Sequence, residues 1–266
     1  ILIHIAMTEP SGKRQEPLEL KEELKFVSLE FRHNAPHDFF RSQWQSGPKS
    51  WLFLFYRWIL ALIFGIGLGC YLILYFRRGT IFIYLTAWCF VLCSLTSFIG
   101  ALFVTVYHID IETMVKLVWI IKFYWVCYWT NLTLAYVVAF LYWSSMFLEQ
   151  PEFDFIWTMF DVWVHGLPVV LFSVDHMLVA QPARLLHFMY PFCFTLVYLA
   201  FSVIYNKLGG LDSLGKSYIY IILNYENPTL VLLTIVGTAL LIIVFSTMLY
   251  GLYIIRTYLA RRLNKL

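Results

Sequence analysis

Residues 155–178 read FIWTMFDVWVHGLPVVLFSVDHML. The run is apolar and long enough to span a bilayer, which takes ~20 helical residues. Yet it carries Asp161 and His165 four positions apart, and Asp175 and His176 near its far end. Ionisable groups inside hydrocarbon are costly, so they face a protein interior or a water-filled cavity. Positions i and i+4 of a helix share one face. Asp161 and His165 are therefore expected to line one site within a helical bundle.

The rest of the chain agrees with a membrane setting. Of 266 residues, 61% are hydrophobic and only 13% charged, too few charges to cover a soluble domain of this size. Six apolar segments are expected as membrane-spanning helices, at 51–76, 81–106, 118–148, 155–179, 185–206 and 229–255. The fold expected is all-α, a polytopic bundle of six transmembrane helices. Residues 1–50 form a polar N-terminal region with a short surface helix at 19–26. Residues 51–255 form the membrane domain, and 256–266 a basic tail. No signal peptide is evident, and Met7 is a plausible start.

Lys and Arg decide the expected orientation. Lys13, Arg14, Lys21, Lys25, Arg32, Arg41 and Lys49 precede the first segment; Arg256, Arg261, Arg262 and Lys265 follow the last. The positive-inside rule then makes both termini cytoplasmic. The connection holding Glu149, Glu152 and Asp154 falls outside, whereas Arg77 and Arg78 oppose the assignment. The outer stretch 206–228 can form a loop with a short helix over the outer mouth.

This topology sorts the polar groups into two layers. Counting ~1.5 Å per residue from the second segment's start puts Thr86 about 8 Å below the outer edge, with Asp161 and His165 at roughly 10–15 Å. Trp88, Trp157 and Trp163 are expected around them. A second layer near the cytoplasmic end comprises Arg57, His108, Asp175, His176, Arg184 and His187, with Thr130 and Asn131 between the layers.

Each group also has a structural reading. Arg57 lies near enough to the interface to snorkel, the alternative being an inward ion pair with Asp175. His108, His176 and His187 read as interfacial or packing groups, and Thr130 and Asn131 as interhelical hydrogen-bonding residues. All five cysteines fall in apolar segments and imply no disulfide framework. No compact metal motif is present, and neither a metal nor another cofactor is expected. A threonine and a histidine nevertheless define a chemistry. A neutral imidazole ~3 Å from a hydroxyl can activate it as a nucleophile, and a carboxylate can orient the imidazole. Thr86, His165 and Asp161 are the candidates, and substrates reaching them would be lipids; nucleic acid is not an expected partner.

The order of motifs resembles the rolling stone family of animal membrane proteins. It is carried by Ser42-Gln43-Trp44, Tyr56-Arg57-Trp58, Ile83 to Trp88, Tyr128-Trp129-Thr130-Asn131, His165, Arg184-Leu-Leu-His187 and Tyr190-Pro191. The resemblance runs from about residue 26 to 255. It implies a multipass protein, of the plasma membrane rather than the endoplasmic reticulum, connected with myoblast fusion in muscle development. No chemistry is assigned to that family.

A more distant similarity is to the androgen-induced family of six-helix hydrolases, which cleave fatty acid esters of hydroxy fatty acids with a threonine and a histidine. Tyr84-Leu85-Thr86 matches that family's threonine segment. Asp161, His165 and Asp175 stand where that family has asparagine, histidine and glutamate. The expected role is thus a fusion-associated membrane protein; the alternative is an intramembrane threonine hydrolase of lipid esters. A transporter or lipid-binding protein using the polar layers as a pathway is the third reading.

Overall fold

The computed structural model describes residues 17–76, 79–149 and 159–265. A single turn, α1 (Leu20–Glu23), precedes α2 (Trp51–Tyr75), α3 (Leu85–Ile109) and a short α4 (Ile111–Lys116). Then come α5 (Val118–Glu149), α6 (Leu167–Leu178), α7 (Met189–Lys207) and α8 (Pro228–Arg262). Five of these helices, α2, α3, α5, α7 with the turn before it, and α8, are long and apolar enough to cross a membrane. The fourth expected span lies only partly within the described residues. From Met159 it is helical, and it passes through a π-helical turn, Val162–Gly166, into α6.

Local sequence explains the helix ends. The Ser50 hydroxyl accepts the Phe53 amide at the start of α2, and the Asn227 side chain accepts the Leu230 amide before Pro228 opens α8. Between α3 and α4 the Asp110 carboxylate accepts the Thr113 amide at 3.1 Å, and the Thr113 side chain and then this amide hold the carboxyl below its usual range. The second segment starts later than expected. Gly79 adopts φ +78°, Thr80–Ile83 form a 3₁₀ turn and Tyr84 is extended, so Thr86 sits in the first turn of α3 rather than well inside it.

In a bilayer, helices associate by close packing more than by hydrophobic drive, so small residues gather where they touch. α3 meets α2 at Ser94, whose hydroxyl donates to the Phe64 carbonyl at 2.9 Å, and at Gly100, which lies against Arg57; Ser97 and Ala101 are buried on the same helix. α5 is the central helix, touching α3, α6, α7 and α8; Tyr124, Trp125, Tyr128, Trp129 and Leu132 along it are all buried. Its two ends are more open, with Trp119, Phe123 and Phe140 exposed. Leu52, Phe55, Ile66, Leu233 and Leu240 on α2 and α8 are also exposed. That much bare apolar surface fits hydrocarbon surroundings rather than water.

The polar N-terminal region folds back against one end of the bundle. Ser42 and Val179 form an antiparallel bridge, with Gln43 N–H donating to Leu178 and Ala180 N–H to Arg41. The Gln43 side chain reaches the Lys265 carbonyl at 3.3 Å, so the N-terminal region and the C-terminal residues meet at this end. The opposite, distal end carries the Thr80–Ile83 turn and the segment from Leu208 to Asn227. The expected surface helix at 19–26 is a single turn, and its Glu23 is fully buried.

Candidate functional site

At the distal end, Gly166 and Pro168 shape the histidine site. Proline has no N–H to give the carbonyl four residues back, and its ring crowds that carbonyl. The chain widens instead into the π turn, where Leu167 N–H bonds Val162. Such turns recur at functional sites. His165 is buried; its Nδ1–H donates to the Asp161 carbonyl at 3.2 Å, and the Asp161 carboxylate lies 4.0 Å away. That bond assigns the proton to Nδ1 and leaves Nε2 as the acceptor.

A residue that sequence reasoning missed completes this cluster. Tyr142 of α5 lies flat on His165, ring centroids 3.5 Å apart and planes 1° apart, near the Asp161 side chain. α5 carries so many aromatic residues that nothing in the sequence singles out this tyrosine. The expected tryptophan shell differs too. Trp88 turns toward Tyr198 and Phe201 of α7, and Trp163 packs on Gly67 of α2. Trp157 lies outside the described residues.

Thr86 lines a cavity of about 350 Å³, and Tyr142 lines the same cavity. Leu141, Phe192, Leu199 and Ile235 supply apolar walls from α5, α7 and α8, and Tyr220 closes the distal end. Tyr220 lies with Thr86 and Leu85 on the cavity wall at the start of α3. Burial pushes its phenol up to about 12, with the Thr86 side chain and then the Thr86 and Leu85 backbone opposing. The π turn adjoins α3, so the Thr86 and His165 elements are neighbours. Among the described residues, however, no hydrogen bond joins Thr86 to His165. Tyr142 rests on His165 and lines the cavity that Thr86 also lines.

The second group of residues assembles near the opposite end. Arg57 does not snorkel. It turns inward, donating from Nη1 to Asp175 Oδ1 at 2.6 Å and from Nη2 to the Tyr124 hydroxyl at 2.6 Å, with both members of the ion pair buried. Only glycine at position 100 leaves room, because a Cβ there would overlap the guanidinium. His176 Nε2–H donates to the Leu249 carbonyl at 3.0 Å. Arg256 donates to the His176 and Gln181 carbonyls and lies over the Tyr253 ring. It is fully buried on α8, which runs on to Arg262, beyond the segment end read from the sequence.

Arg184 pairs with Glu23 at 2.9 Å, and the other Glu23 oxygen accepts the Leu185 amide. His187 sits among the rings of Phe31, Trp125 and Tyr190. His108 stands apart: its Nδ1–H bonds Val104, its ring meets Trp51, and its carbonyl accepts Lys49. Thr130 and Asn131 are buried on α5, where Asn131 meets the Cys93 thiol of α3. Among the described residues no cluster of three His, Cys, Asp or Glu side chains could hold a metal.

The sequence matches the model of the family described as Protein rolling stone over residues 18–265. It is 34% identical over 242 residues to the Protein rolling stone of Drosophila melanogaster, covering 87% of each chain. No solved structure matches it. A match over nearly the whole chain, with its loops and buried polar positions, means that this protein belongs to the rolling stone family.

Proposed function

We propose that this chain is a six-crossing plasma-membrane protein, with both termini in the cytoplasm, that acts in myoblast fusion from within the bilayer. Parity supports six crossings. The N-terminal region and C-terminal residues meet at one end of the bundle, which requires an even number of passes, and the segment entering α6 supplies the one beyond the five long helices. The basic residues at that end support its cytoplasmic placement. In domain terms, the regions are 1–50, a membrane domain 51–255 and a tail 256–266; of the first, the described residues 17–50 lie against the end of the bundle that this reading makes cytoplasmic.

One observation carries the proposal that function resides in the bundle. The distal cavity between α3, α5, α7 and α8 has Thr86 and Tyr142 on its wall. The connections beside it fold onto the bundle: Tyr84 bonds Ser213, and Tyr225 bonds Ser202. These short segments offer little surface for adhesion in trans. The test is rescue of fusion in myoblasts lacking the protein. The wild-type chain should restore multinucleate cells and a cavity-filling Ala239→Phe chain should not; normal fusion in the null cells would dispose of the role.

A second reading, intramembrane hydrolysis of a lipid ester, is favoured by Thr86 lying on the cavity wall with His165 and Asp161 against Tyr142. Thr86 would attack the ester carbonyl as His165 Nε2 takes its proton, with Asp161 orienting the ring. The alcohol would leave with that proton, and water, activated by the same imidazole, would then release the fatty acid from the acyl-threonine. Among the described residues no hydrogen bond joins Thr86 to His165, so the side chains must close up for the transfer. Purified protein treated with a lipid-like fluorophosphonate should label at Thr86. Labelling that persists in both Thr86→Ala and His165→Ala would reject these roles.

A further inference from the structure

We propose that the distal cavity binds a lipid with one acyl chain and an anionic headgroup, the chain lying among the apolar walls and the headgroup at Lys216. The inference rests on the reading that this cavity is the working site.

The cavity is amphipathic along its length. Leu141, Phe192, Leu196, Leu199 and Ile235 line its membrane part, whereas Tyr218, Tyr220 and Lys216 lie at the distal mouth. At ~30 Å³ per water-sized group, its volume holds about a dozen such groups, enough for much of one acyl chain and too few for two. Apolar walls disfavour filling by ordered water, which needs two to four polar partners.

Charge selects the headgroup. Lys216 is on the cavity wall, and its ammonium lies 5.7 Å from the centre of the Tyr218 ring. No carboxylate pairs with it among the described residues. Asp212 is the acidic residue nearby in the lining, but its Oδ1 is engaged by the amides of Leu214 and Lys216, at 2.8 and 2.7 Å. The cation is left to face the mouth while the acid shapes the turn. Tyr220, Thr86 and Tyr142 add hydroxyls below it. A carboxylate or a phosphate ester can pair directly with the Lys216 ammonium, which a cationic or uncharged headgroup cannot.

The mouth is built rather than a chance gap. Asn206 Nδ2 donates to the Ser217 carbonyl at 2.6 Å, the Tyr205 hydroxyl to Leu211 at 2.9 Å, and the Thr234 hydroxyl to Ile222 at 2.8 Å. These bonds hold the loop bearing Lys216 against α7 and α8.

The full-length protein, purified into nanodiscs of uncharged lipid, is exposed to three photoactivatable probes of equal chain length: a fatty acid, a lysophosphatidic acid and a monoacylglycerol. Both or either of the acidic probes should label in preference to the neutral one, and which of them does so identifies carboxylate or phosphate as the headgroup. Lys216→Gln should lower acidic labelling about fivefold and leave neutral labelling unchanged. Ala239→Phe, which fills the cavity, should lower all three. Adducts from wild type should map to peptides of α3, α5, α7 or α8 that line the cavity, a readout independent of any variant's folding. Equal labelling by acidic and neutral probes, unaffected by Lys216→Gln, would overturn the headgroup assignment; adducts elsewhere would overturn the site. Normal fusion in null myoblasts would remove the biological role and leave these results untouched.

Discussion

Removing one member of the Arg57–Asp175 pair should cost more than any surface ion pair in this chain. The side chains are 2% and 0% exposed and 2.6 Å apart, so water cannot take over from a lost partner. At a charge separation of ~4 Å and an effective dielectric of ~20, the attraction is about 4 kcal/mol. Mutational experience with broken buried pairs spans about 3–5 kcal/mol. Asp175→Asn should therefore destabilise the bundle by about 4 kcal/mol, a large part of a typical total of roughly 5–15.

The two halves of the pair should differ. A carboxyl group can escape an unpaired buried charge by taking up a proton, whereas a guanidinium cannot. Arg57→Met should consequently cost less than Asp175→Asn, and the double variant Arg57→Met/Asp175→Asn should recover much of the loss. Equilibrium unfolding of the purified protein in mixed micelles, followed by tryptophan fluorescence, supplies all four corners of the cycle. Losses below about 1 kcal/mol for both single variants, with no coupling between them, would match an exposed pair and refute the reasoning.

Three further outcomes follow from the same end of the molecule. Gly100→Ala should cost about 3 kcal/mol by driving a methyl into the Arg57 guanidinium, while Gly65→Ala, which meets nothing within 4 Å, should be neutral or slightly stabilising; equal effects would remove the steric argument. Glu23→Gln should free α1 from Arg184 and hasten tryptic cleavage at Lys21 and Lys25, and an unchanged digestion rate would show that the pair does not hold the segment. His37, whose Nδ1 bonds the Tyr107 hydroxyl at 2.9 Å, is depressed below the ordinary histidine value by burial and then by Arg41, with Asp38 opposing. The unfolded chain then binds the proton more readily, so this contribution is complete above about pH 6.5 and falls away as pH drops through the folded value. His37→Gln should flatten stability against pH below about 6.5, and parallel curves for both proteins would contradict the assignment.

Particular residues show why the fold was more legible than the site. Hydropathy alone placed α5 and α7 close to their observed bounds, because a helix must satisfy its own backbone wherever lipid surrounds it. The start of α3 was misplaced by several residues because the apolar run continues through the Thr80–Ile83 turn. Asp161 and His165 came together as their spacing required. Tyr142 could not be foreseen, since nothing local marks which of α5's aromatic residues faces His165. Glu23 read as one solvated acid in a charged run, yet its partner lies 161 residues away.

By itself, the sequence determined that this is a membrane bundle of helices, where most of them run, and that ionisable groups lie inside it. Those properties come from local composition measured against a fixed bilayer thickness. Only the tertiary structure decided which charges meet, that Arg57 turns inward onto Asp175 while Arg184 finds Glu23, and that Tyr142 lies flat on His165. A partner depends on how each helix is rotated and how closely it approaches its neighbour. Contacts such as Gly100 against Arg57 set that approach, and no single segment encodes it.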